Sequence, residues 1–395
     1  MRSVCLAIRH VIELSTRARL RAGYLMKITF LESFYGGSHK SFLDGLVKYS
    51  THEIDALTLP ARFWKWRLRS SALYFADQYG REIRNSDLII ATDMLNLAEL
   101  KSLADYTGPS ILFFHENQLT YPLPDHERQD PHLGMVNLAS ALAADVNLFN
   151  SNFQLNYFTD ALRSFINRIP EFVPVFAHQR VMKKSRVMYM GCDFSAFKPP
   201  RRTTKPNPEP VILWNHRWEF DKQPAVFFRA LYKLHAEGVP FKLLILGENY
   251  QVHPREFLEA REKLKDRIIR FGFVDTWEDY AATLNMADIV ISTAIQENFG
   301  YSVAEAMYCK TLPLLPNRLS YPEILAPEFH NAFLYKNEDD LVNKLRHLLA
   351  HYREYDETRE KLSQAISRFD WSRRIAEFDE LFLQLADGKT GQAAA

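Results

Sequence analysis

Cysteine is scarce in this 395-residue sequence, which contains only Cys5, Cys192 and Cys309 and has no CxxC pair. Such wide spacing excludes a disulfide framework and any zinc site built from cysteines, and it makes the reducing cytosol the expected compartment. No run reaches the roughly 18 apolar residues that a membrane-spanning helix requires. The 49 basic and 48 acidic side chains nearly cancel, so the overall charge predicts no particular partner.

The two ends of the chain are expected to lie outside the fold. Residues 1–25 carry five arginines and one acid with helical periodicity, a composition that also occurs in targeting segments. A clear strand pattern begins only at Met26, so we interpret the preceding residues as an N-terminal extension. Residues 388–395 are predicted to form a disordered tail.

From Met26 onward, short apolar runs alternate with amphipathic helical segments, a pattern typical of parallel βαβ units. A basic segment with five prolines, 198–210, interrupts the alternation and is interpreted as a linker. The sequence therefore predicts an α/β protein with two Rossmann-like domains, 26–200 and 211–365, and a C-terminal helical segment, 366–387, that packs back toward the first domain. The predicted strands include residues 27–31, 87–91, 110–114, 146–149, 211–214, 242–246, 268–271, 288–292 and 311–315.

Ligands of open parallel sheets bind beyond the carboxyl ends of the strands, so two facing sheets would hold a ligand in the cleft between them. In SFYGGSHKSF, after the first predicted strand, Gly36 and Gly37 form a turn, and Ser38 and His39 begin a helix. Two glycines allow a close approach to a phosphate, and a helix N-terminus supplies free amides. A purely structural turn would explain the same residues. The absence of Walker A and GxGxxG motifs disfavours ordinary nucleotide hydrolases and dinucleotide enzymes.

Polar side chains also follow the predicted strand at 110–114. In HENQLTYPLP, His115, Glu116 and Asn117 offer an imidazole, a carboxylate and an amide to a polyhydroxyl ligand. The alternative is a histidine that is satisfied within the core. The segment is not an HExxH zinc motif, because Leu119 stands where the second histidine would be.

The second predicted domain has two cations after its first strand. Arg217 follows the strand, and Lys222 precedes a helix that can begin at Pro224. Together they would suit a diphosphate, whose negative charge needs compensation as it leaves. Solvated surface charge is the alternative.

The segment 287–315 contains the most specific local pattern, two glutamates eight residues apart. Glu297 is predicted to lie in a loop and Glu305 about two turns into the helix that follows, where both can bind sugar or ribose hydroxyls. The amides of Asn298, Phe299 and Gly300 are predicted to form an anion site between them. Either glutamate alone would usually be a solvated helix residue.

A basic and aromatic segment, RFWKWRLR at 62–69, contains four cationic residues, three rings and no acid. This composition suits RNA, whose phosphates pair with cations and whose exposed bases stack on rings. An interfacial membrane helix and ordinary packing are alternatives that the residues alone leave open. A further group of basic residues consists of Arg180, Lys183, Lys184 and Arg186.

These motifs together resemble those of known enzymes. The two spaced glutamates, HRWEFDK, FGFVDTWEDYAATLNMADIVIST and MGCDFSAFKP resemble segments of the retaining GT-B glycosyltransferases of the glycogen-synthase and sucrose-synthase type. More narrowly, FLESFYGGSHKSF, WKWRLR, FFHENQLTYP and YPEI are similar to the tRNA-queuosine mannosyltransferase family. The resemblance covers about residues 26–385.

The resemblance implies roles for individual residues. Glu297 would hold the donor sugar near its anomeric carbon and His115 would reach the same sugar, so these two are the predicted catalytic residues. Glu305 would hold the ribose, and residues 272–274 would border the nucleobase. The predicted donor-binding residues are Gly36, Gly37, Arg217, Lys222, Gly272, Val274, Asn298, Phe299, Gly300 and Glu305. The predicted acceptor-binding residues are Ser38, His39, Glu116, Asn117, Arg62, Trp64, Lys65, Trp66, Arg67 and Arg69.

The function that the resemblance implies is transfer of mannose from GDP-mannose to the cyclopentene-diol of queuosine in a tRNA anticodon of the tRNA-Asp type. The anomeric configuration would be retained without a metal ion, because the departing diphosphate would take the proton of the acceptor hydroxyl. The resemblance favours RNA as the partner of segment 62–69 and a cytoplasmic enzyme. The alternatives are a GT-B enzyme with a lipid or polysaccharide acceptor and a non-catalytic RNA-binding protein of this fold.

The sequence departs from the broad class at two places near the donor. Tyr308, Cys309 and Lys310 stand where a small glycine-rich run is usual, and Asn215 and His216 replace the glycine that commonly precedes Arg217. The first departure bears on which donor the enzyme selects. The second predicts a tighter phosphate-binding site beside Arg217.

Overall fold

The computed structural model describes residues 25–124, 127–197, 207–247 and 254–388. Residues 1–24 of the predicted extension, most of the predicted linker and the predicted tail after Gly388 therefore lie outside the described residues. The chain divides into two compact units, Met1–Gly191 with Trp371–Ala395, and Cys192–Asp370. Each unit contains a six-stranded sheet, and the predicted α/β class is confirmed.

The first unit is built around a parallel sheet with the strand order β2-β1-β3-β4-β5-β6. Its strands are β1 (Lys27–Tyr35), β2 (Glu53–Pro60), β3 (Leu88–Thr92), β4 (Ser110–Phe114), β5 (Val146–Phe149) and β6 (Ser185–Val187). Its helices up to β6 are α1 (Gly37–Tyr49), α2 (Trp64–Arg84), α3 (Leu97–Leu103), α4 (Pro131–Ala143), α5 (Asn152–Ile166) and α6 (Phe176–Lys183).

The second unit has a parallel sheet with the order β12-β11-β10-β7-β8-β9. Its strands are β7 (Val211–Asn215), β8 (Lys242–Leu246), β9 (Ile268–Gly272), β10 (Ile289–Ile291), β11 (Leu312–Pro316) and β12 (Leu334–Tyr335). Its helices are α7 (Pro224–Ala236), α8 (Arg255–Lys263), α9 (Trp277–Leu284), α10 (Tyr301–Tyr308), α11 (Tyr321–Ile324), α12 (His330–Phe333), α13 (Glu338–His351) and α14 (Asp356–Ile366).

The degree of burial explains why some strands could be predicted from apolar runs in the sequence and others could not. The interior strands β3 and β4 are buried at every position, because strands covered by helices on both faces become continuous apolar runs. Strand β2 lies at an edge and alternates between exposed and partly buried residues. Strand β2 was therefore not recognised in the sequence, and the three-residue β6 and the two-residue β12 were missed as well.

The final helix, α15 (Trp371–Ala386), belongs to the first unit and packs on α1. The indole of Trp371 is fully buried beside Phe42, and Gly45 provides the space for it. The carboxylate of Asp379 accepts hydrogen bonds from Oγ of Ser50 at 2.7 Å and from the amide of Thr51 at 3.0 Å. No helix among the described residues is both long and apolar enough to cross a membrane.

The strand orders locate one crevice in each unit. In the first sheet the chain leaves β1 for β2 on one side and for β3 on the other, and in the second sheet β7 lies between β8 and β10 in the same way. Such a reversal opens a crevice at the carboxyl ends of the two central strands. Ligand-binding residues are therefore expected after β1 and β3 in one unit and after β7 and β10 in the other.

Candidate functional site

The turn after β1 brings the backbone of Gly36 close to the end of β2. A Cβ atom on Gly36 would lie 2.5 Å from the Cβ of Ala61, so a larger residue would displace that segment. Gly37 has φ +52 and open space around it, and α1 begins there. Gly37 and Ser38 are exposed. The exposed start of α1 leaves room for an anion at its N-terminal amides, and the anion site itself stays a prediction.

A buried cluster of ionisable side chains lies beside that turn. Nδ1 of His39 is 3.0 Å from Oε2 of Glu32, and the rings of His39 and His115 stack with centroids 4.0 Å apart. Burial lowers the pKa of His39, but the adjacent Glu32 carboxylate outweighs it and raises that pKa to about 9. Burial, together with the charge of His39, holds the pKa of His115 well below its usual range. One histidine is therefore charged and its neighbour neutral at physiological pH.

Two carboxylates of this crevice were missed in the sequence. Glu32 lies in β1 and Asp93 directly follows β3, and both are completely buried. Oδ1 of Asp93 accepts hydrogen bonds from the amides of His115 at 2.8 Å and Glu116 at 3.3 Å, and burial with the nearby Glu116 raises its pKa. Both could have been found from the sequence, because each is an acidic residue within or immediately after an otherwise apolar strand.

Asn117, a predicted acceptor-binding residue, stabilises the conformation of the loop after β4 through its own side-chain hydrogen bonds. Oδ1 of Asn117 accepts hydrogen bonds from the amides of Leu119 at 3.1 Å and Thr120 at 3.0 Å, and its Nδ2 donates to Oγ1 of Thr120 at 2.8 Å. These bonds form an Asx-type turn. Glu116 is partly exposed and lies closer to solvent than Asn117.

The basic and aromatic segment forms the start of α2 and meets the loop after β4. Trp64 and Lys65 line a small cavity together with Gln118 and Tyr121 of that loop. The side chains of Phe63 and Trp66 are each 71% exposed. Two of the four segments that resemble the narrower family, WKWRLR and FFHENQLTYP, are therefore neighbours in the first unit.

Acidic residues distant in sequence reduce the charge of this segment. Nζ of Lys65 lies 3.3 Å from Oε2 of Glu127, and Arg69 pairs with Asp130. Nε of Arg67 donates to the carbonyl of Pro60 at 3.4 Å. The local charge is smaller than the count of basic residues suggested.

The further group of basic residues is partly used by the fold. Nζ of Lys184 donates to the carbonyl of Leu142 at 2.6 Å, and burial lowers its pKa to about 8. Arg186 is partly buried as well. Arg180 is exposed and its guanidinium lies 4.9 Å from the ring centroid of Phe176. Only Arg180 and Lys183 are exposed members of the group.

In the second unit, Lys222 connects the loops after β7 and β10. Its buried ammonium donates to the carbonyl of Gln296 at 2.7 Å and lies 3.2 Å from Oδ2 of Asp221 and 3.5 Å from Oε2 of Glu297. Burial disfavours the charged amine, but the two carboxylates outweigh it and raise the pKa of Lys222. Arg217 is partly exposed and lies 3.2 Å from Glu219.

The loop between β10 and α10 is held by Ser320. Its Oγ donates to the carbonyls of Glu297 at 3.3 Å and Phe299 at 3.0 Å. Gly300 has φ +106 at the start of α10, a conformation that favours glycine. The ring of Phe299 is buried against Phe369, so its predicted contribution to a ligand is limited to the backbone.

A chain of hydrogen bonds orients the second glutamate. Nδ2 of Asn215 donates to the hydroxyl of Tyr280 at 2.7 Å, and that hydroxyl donates to Oε2 of Glu305 at 2.7 Å. Burial raises the pKa of Glu305 to about 7. The sequence indicated Glu305 directly, whereas Tyr280 carried no signal because its contact depends on the docking of α9.

Two further features border this crevice. Gly272 has φ +114 and open space around it, Phe273 is 61% exposed and Val274 is buried. His216 is buried beside Lys222, and burial with that charge lowers its pKa to about 3. The crevice therefore combines a cation, two acids, the backbone amides at the start of α10 and an exposed ring, which together suit a nucleotide sugar.

Comparisons with known proteins agree with this arrangement. Residues 27–192 match the family description "tRNA-queuosine alpha-mannosyltransferase N-terminal", and residues 197–368 match "Glycosyl transferases group 1". A tRNA-queuosine alpha-mannosyltransferase of Drosophila melanogaster is 39% identical over 329 residues, which cover 80% of this chain and 85% of that protein.

Solved structures with a similar fold have much lower identity. A sucrose-phosphate synthase from Thermosynechococcus elongatus has a TM-score of 0.70 at 16% identity and covers 92% of this chain and 100% of its own. The catalytic domain of starch synthase IV from Arabidopsis thaliana has a TM-score of 0.67 at 12% identity, with 92% and 100% coverage. These likenesses confirm the predicted GT-B fold.

Proposed function

The chain belongs to the tRNA-queuosine alpha-mannosyltransferase family, and we propose that it transfers mannose from GDP-mannose to the cyclopentene-diol of queuosine in a tRNA anticodon of the tRNA-Asp type. The observation that carries the proposal is the 39% identity over 80% of the chain to a relative of that name. The contacts within each crevice indicate which role each side chain would have in this reaction.

The second unit would hold the donor. Glu297 and Glu305 offer carboxylates to sugar and ribose hydroxyls, and the backbone amides of residues 298–300, at the start of α10, suit a phosphate. Lys222 is held between Glu297 and Asp221, so its charge is positioned before a donor arrives. Arg217 adds a more exposed cation. Such preorganised charge stabilises negative charge as it develops on a departing diphosphate.

The first unit would hold the acceptor. The neutral ring of His115 can both donate and accept a hydrogen bond, which suits a sugar or diol hydroxyl. Phe63 and Trp66 offer exposed faces on which bases can stack. The cavity between Trp64, Lys65 and the loop after β4 is a suitable place for contacts with the anticodon loop.

We further propose that the transfer retains the anomeric configuration, needs no metal ion and takes place in the cytoplasm. Glu32, His39 and His115 offer three ligand atoms within 4.8 Å of one another. The two rings are stacked, with planes 28° apart, so lone pairs in those ring planes do not converge on one ion at a bond length of about 2 Å. The cluster fits an ion pair beside a neutral histidine better than it fits a metal centre.

Mass spectrometry of tRNA nucleosides after incubation with GDP-mannose tests the proposal. We expect queuosine to gain one hexose, and tRNA that carries guanosine at that position to remain unmodified. GDP-glucose and UDP-glucose as donors would measure the selectivity for mannose. If no hexose is added to queuosine by an enzyme that releases GDP from GDP-mannose, the proposed acceptor is wrong.

A lipid acceptor is the alternative that the exposed rings of Phe63 and Trp66 also suit. Liposome flotation separates the two, because an enzyme for tRNA is expected to stay with the protein fraction at the bottom of the gradient. A non-catalytic RNA-binding protein would bind tRNA but release no GDP from GDP-mannose.

A further inference from the structure

Glu32 is a buried carboxylate with polar partners at both of its oxygens. Its Oε1 accepts hydrogen bonds from the amide of Phe34 at 2.8 Å and from Oγ1 of Thr92 at 3.2 Å, and its Oε2 faces Nδ1 of His39 at 3.0 Å. Its exposed fraction is 0%. A buried anion without a cationic partner is strongly destabilising, so the geometry favours His39 as an imidazolium.

His39 in turn lies face to face with His115. The ring centroids of the two histidines are 4.0 Å apart. The ring centroids of Phe42 and Phe113 lie 5.2 and 5.0 Å from that of His115. Two imidazolium rings at that distance would repel each other in surroundings of low polarity. Because Glu32 contacts His39, the charge belongs on His39.

The other ionisable groups around His39 come from three elements. Glu32 belongs to β1, Asp93 follows β3, and His115 and Glu116 follow β4. Asp93 and Glu116 add negative charge that also raises the pKa of His39. Within the part of the chain that the structure describes, His39 is the basic side chain that pairs with Glu32. The protonated state of His39 therefore depends chiefly on Glu32.

We propose that Glu32 is a positioning residue of the transfer reaction, which holds His39 as an imidazolium and thereby keeps His115 neutral in the crevice at the carboxyl ends of β1 and β3. This inference rests on the proposed function, because the contact of His115 with substrate belongs to that function. A neutral imidazole can accept a hydrogen bond from one hydroxyl and donate to another, whereas an imidazolium can only donate. The charged neighbour thus determines what His115 can offer.

The wild-type protein tests this inference without any variant. NMR of the full chain with labelled histidine side chains follows each imidazole against pH. We expect His39 to stay protonated until the pH approaches about 9 and His115 to stay neutral down to well below pH 6.5. A His39 that titrates near pH 6.5, the ordinary value for histidine, overturns the inference whether or not the enzyme mannosylates queuosine.

Glu32→Gln tests the link to catalysis. Glutamine keeps the volume and an acceptor oxygen but lacks the charge, so we expect His39 to lose its proton near or below pH 7. In that variant His115 no longer faces a fixed positive charge, so its pKa is expected to rise and the acid limb of kcat/KM to move up in pH. We expect kcat at pH 5.5 to fall about threefold or more while KM for tRNA changes less than twofold. His52→Gln is the matched control. His52 is another buried histidine of the same unit, and its ring packs near Phe382 rather than in the cluster of Glu32, His39 and His115.

Two results would contradict the proposal. One is a Glu32→Gln variant, folded by circular dichroism, whose pH profile and His39 titration equal those of the wild type. The other is a stoichiometric metal ion that His39→Gln removes, detected by elemental mass spectrometry, because the cluster would then serve as a metal centre.

Discussion

The ammonium of Lys222 lies 3.5 Å from the carboxylate of Glu297. The two residues follow β7 and β10, which are neighbours in the sheet although β8 and β9 lie between them in the sequence. Lys222 also donates to the carbonyl of Gln296, so the cation fixes the loop that carries Glu297. A donor diphosphate would meet a cation whose position is already determined. The ion pair therefore stabilises the loop, and under the proposed function it would also position the charge that meets the donor.

Glu297→Gln is expected to lower kcat/KM for mannose transfer by about 100-fold, the usual scale for loss of one charge-stabilising group. Binding of tRNA should change less than twofold, because the substitution lies in the unit that would hold the donor. Filter binding and steady-state kinetics measure the two effects. Glu338→Gln, which removes an exposed partner of Arg229 in the same unit, is expected to leave both unchanged. A parallel loss of tRNA binding in Glu297→Gln would contradict the assigned role.

The affinity for GDP-mannose should rise with pH between 6 and 8. The pKa of Glu305 is raised to about 7, so the carboxylate is protonated below that value and ionised above it. An ionised carboxylate accepts hydrogen bonds from ribose hydroxyls more strongly than a protonated one, and we expect a gain of about three- to tenfold. Calorimetry with GDP-mannose is preferable to GDP, whose terminal phosphate titrates in a similar range. Glu305→Gln should bind with little pH dependence, and an unchanged slope in that variant would count against ribose binding by Glu305.

Trp66→Ala is expected to weaken binding of queuosine tRNA by about tenfold, because stacking of one base on an aromatic ring contributes roughly 1–3 kcal/mol. The indole is 71% exposed, so its loss should not alter the melting temperature. Phe172→Ala removes a ring that is 95% exposed elsewhere in the same unit and serves as the matched control. Equal effects of the two substitutions on tRNA affinity would show that α2 has no special role.

Gly45→Ala should destabilise the first unit. A Cβ atom there would lie 1.9 Å from Nε1 of Trp371, and overpacking of this kind costs about 3 kcal/mol. At that cost the melting temperature is expected to fall by roughly 6–12 °C. Gly80→Ala, on α2 with nothing within 4 Å of the added atom, should be neutral or slightly stabilising. Equal melting temperatures for the two variants would mean that α15 does not rest on α1 in solution.

Interior strands and the spaced glutamates could be predicted because their signals are local. Strands β3, β4 and β7 are buried along their whole length and apolar at all but one position each, and Glu297 and Glu305 are separated by a spacing that the sequence displays directly. The edge strand β2 was missed since one exposed side interrupts its apolar pattern. Patterns that depend only on neighbours along the chain are visible before folding.

The partners of the charged side chains could not be predicted from local sequence patterns. Glu127 and Asp130 reduce the charge of segment 62–69 from about 60 residues away, and Tyr280 reaches Glu305 from a different helix. Composition and strand periodicity were sufficient for two α/β sheets and the residues at their carboxyl ends, because burial acts on each segment separately. The protonation of His39, the neutrality of His115 and the orientation of Glu305 required the folded chain, because electrostatic interactions depend on distances between atoms that only tertiary packing brings together.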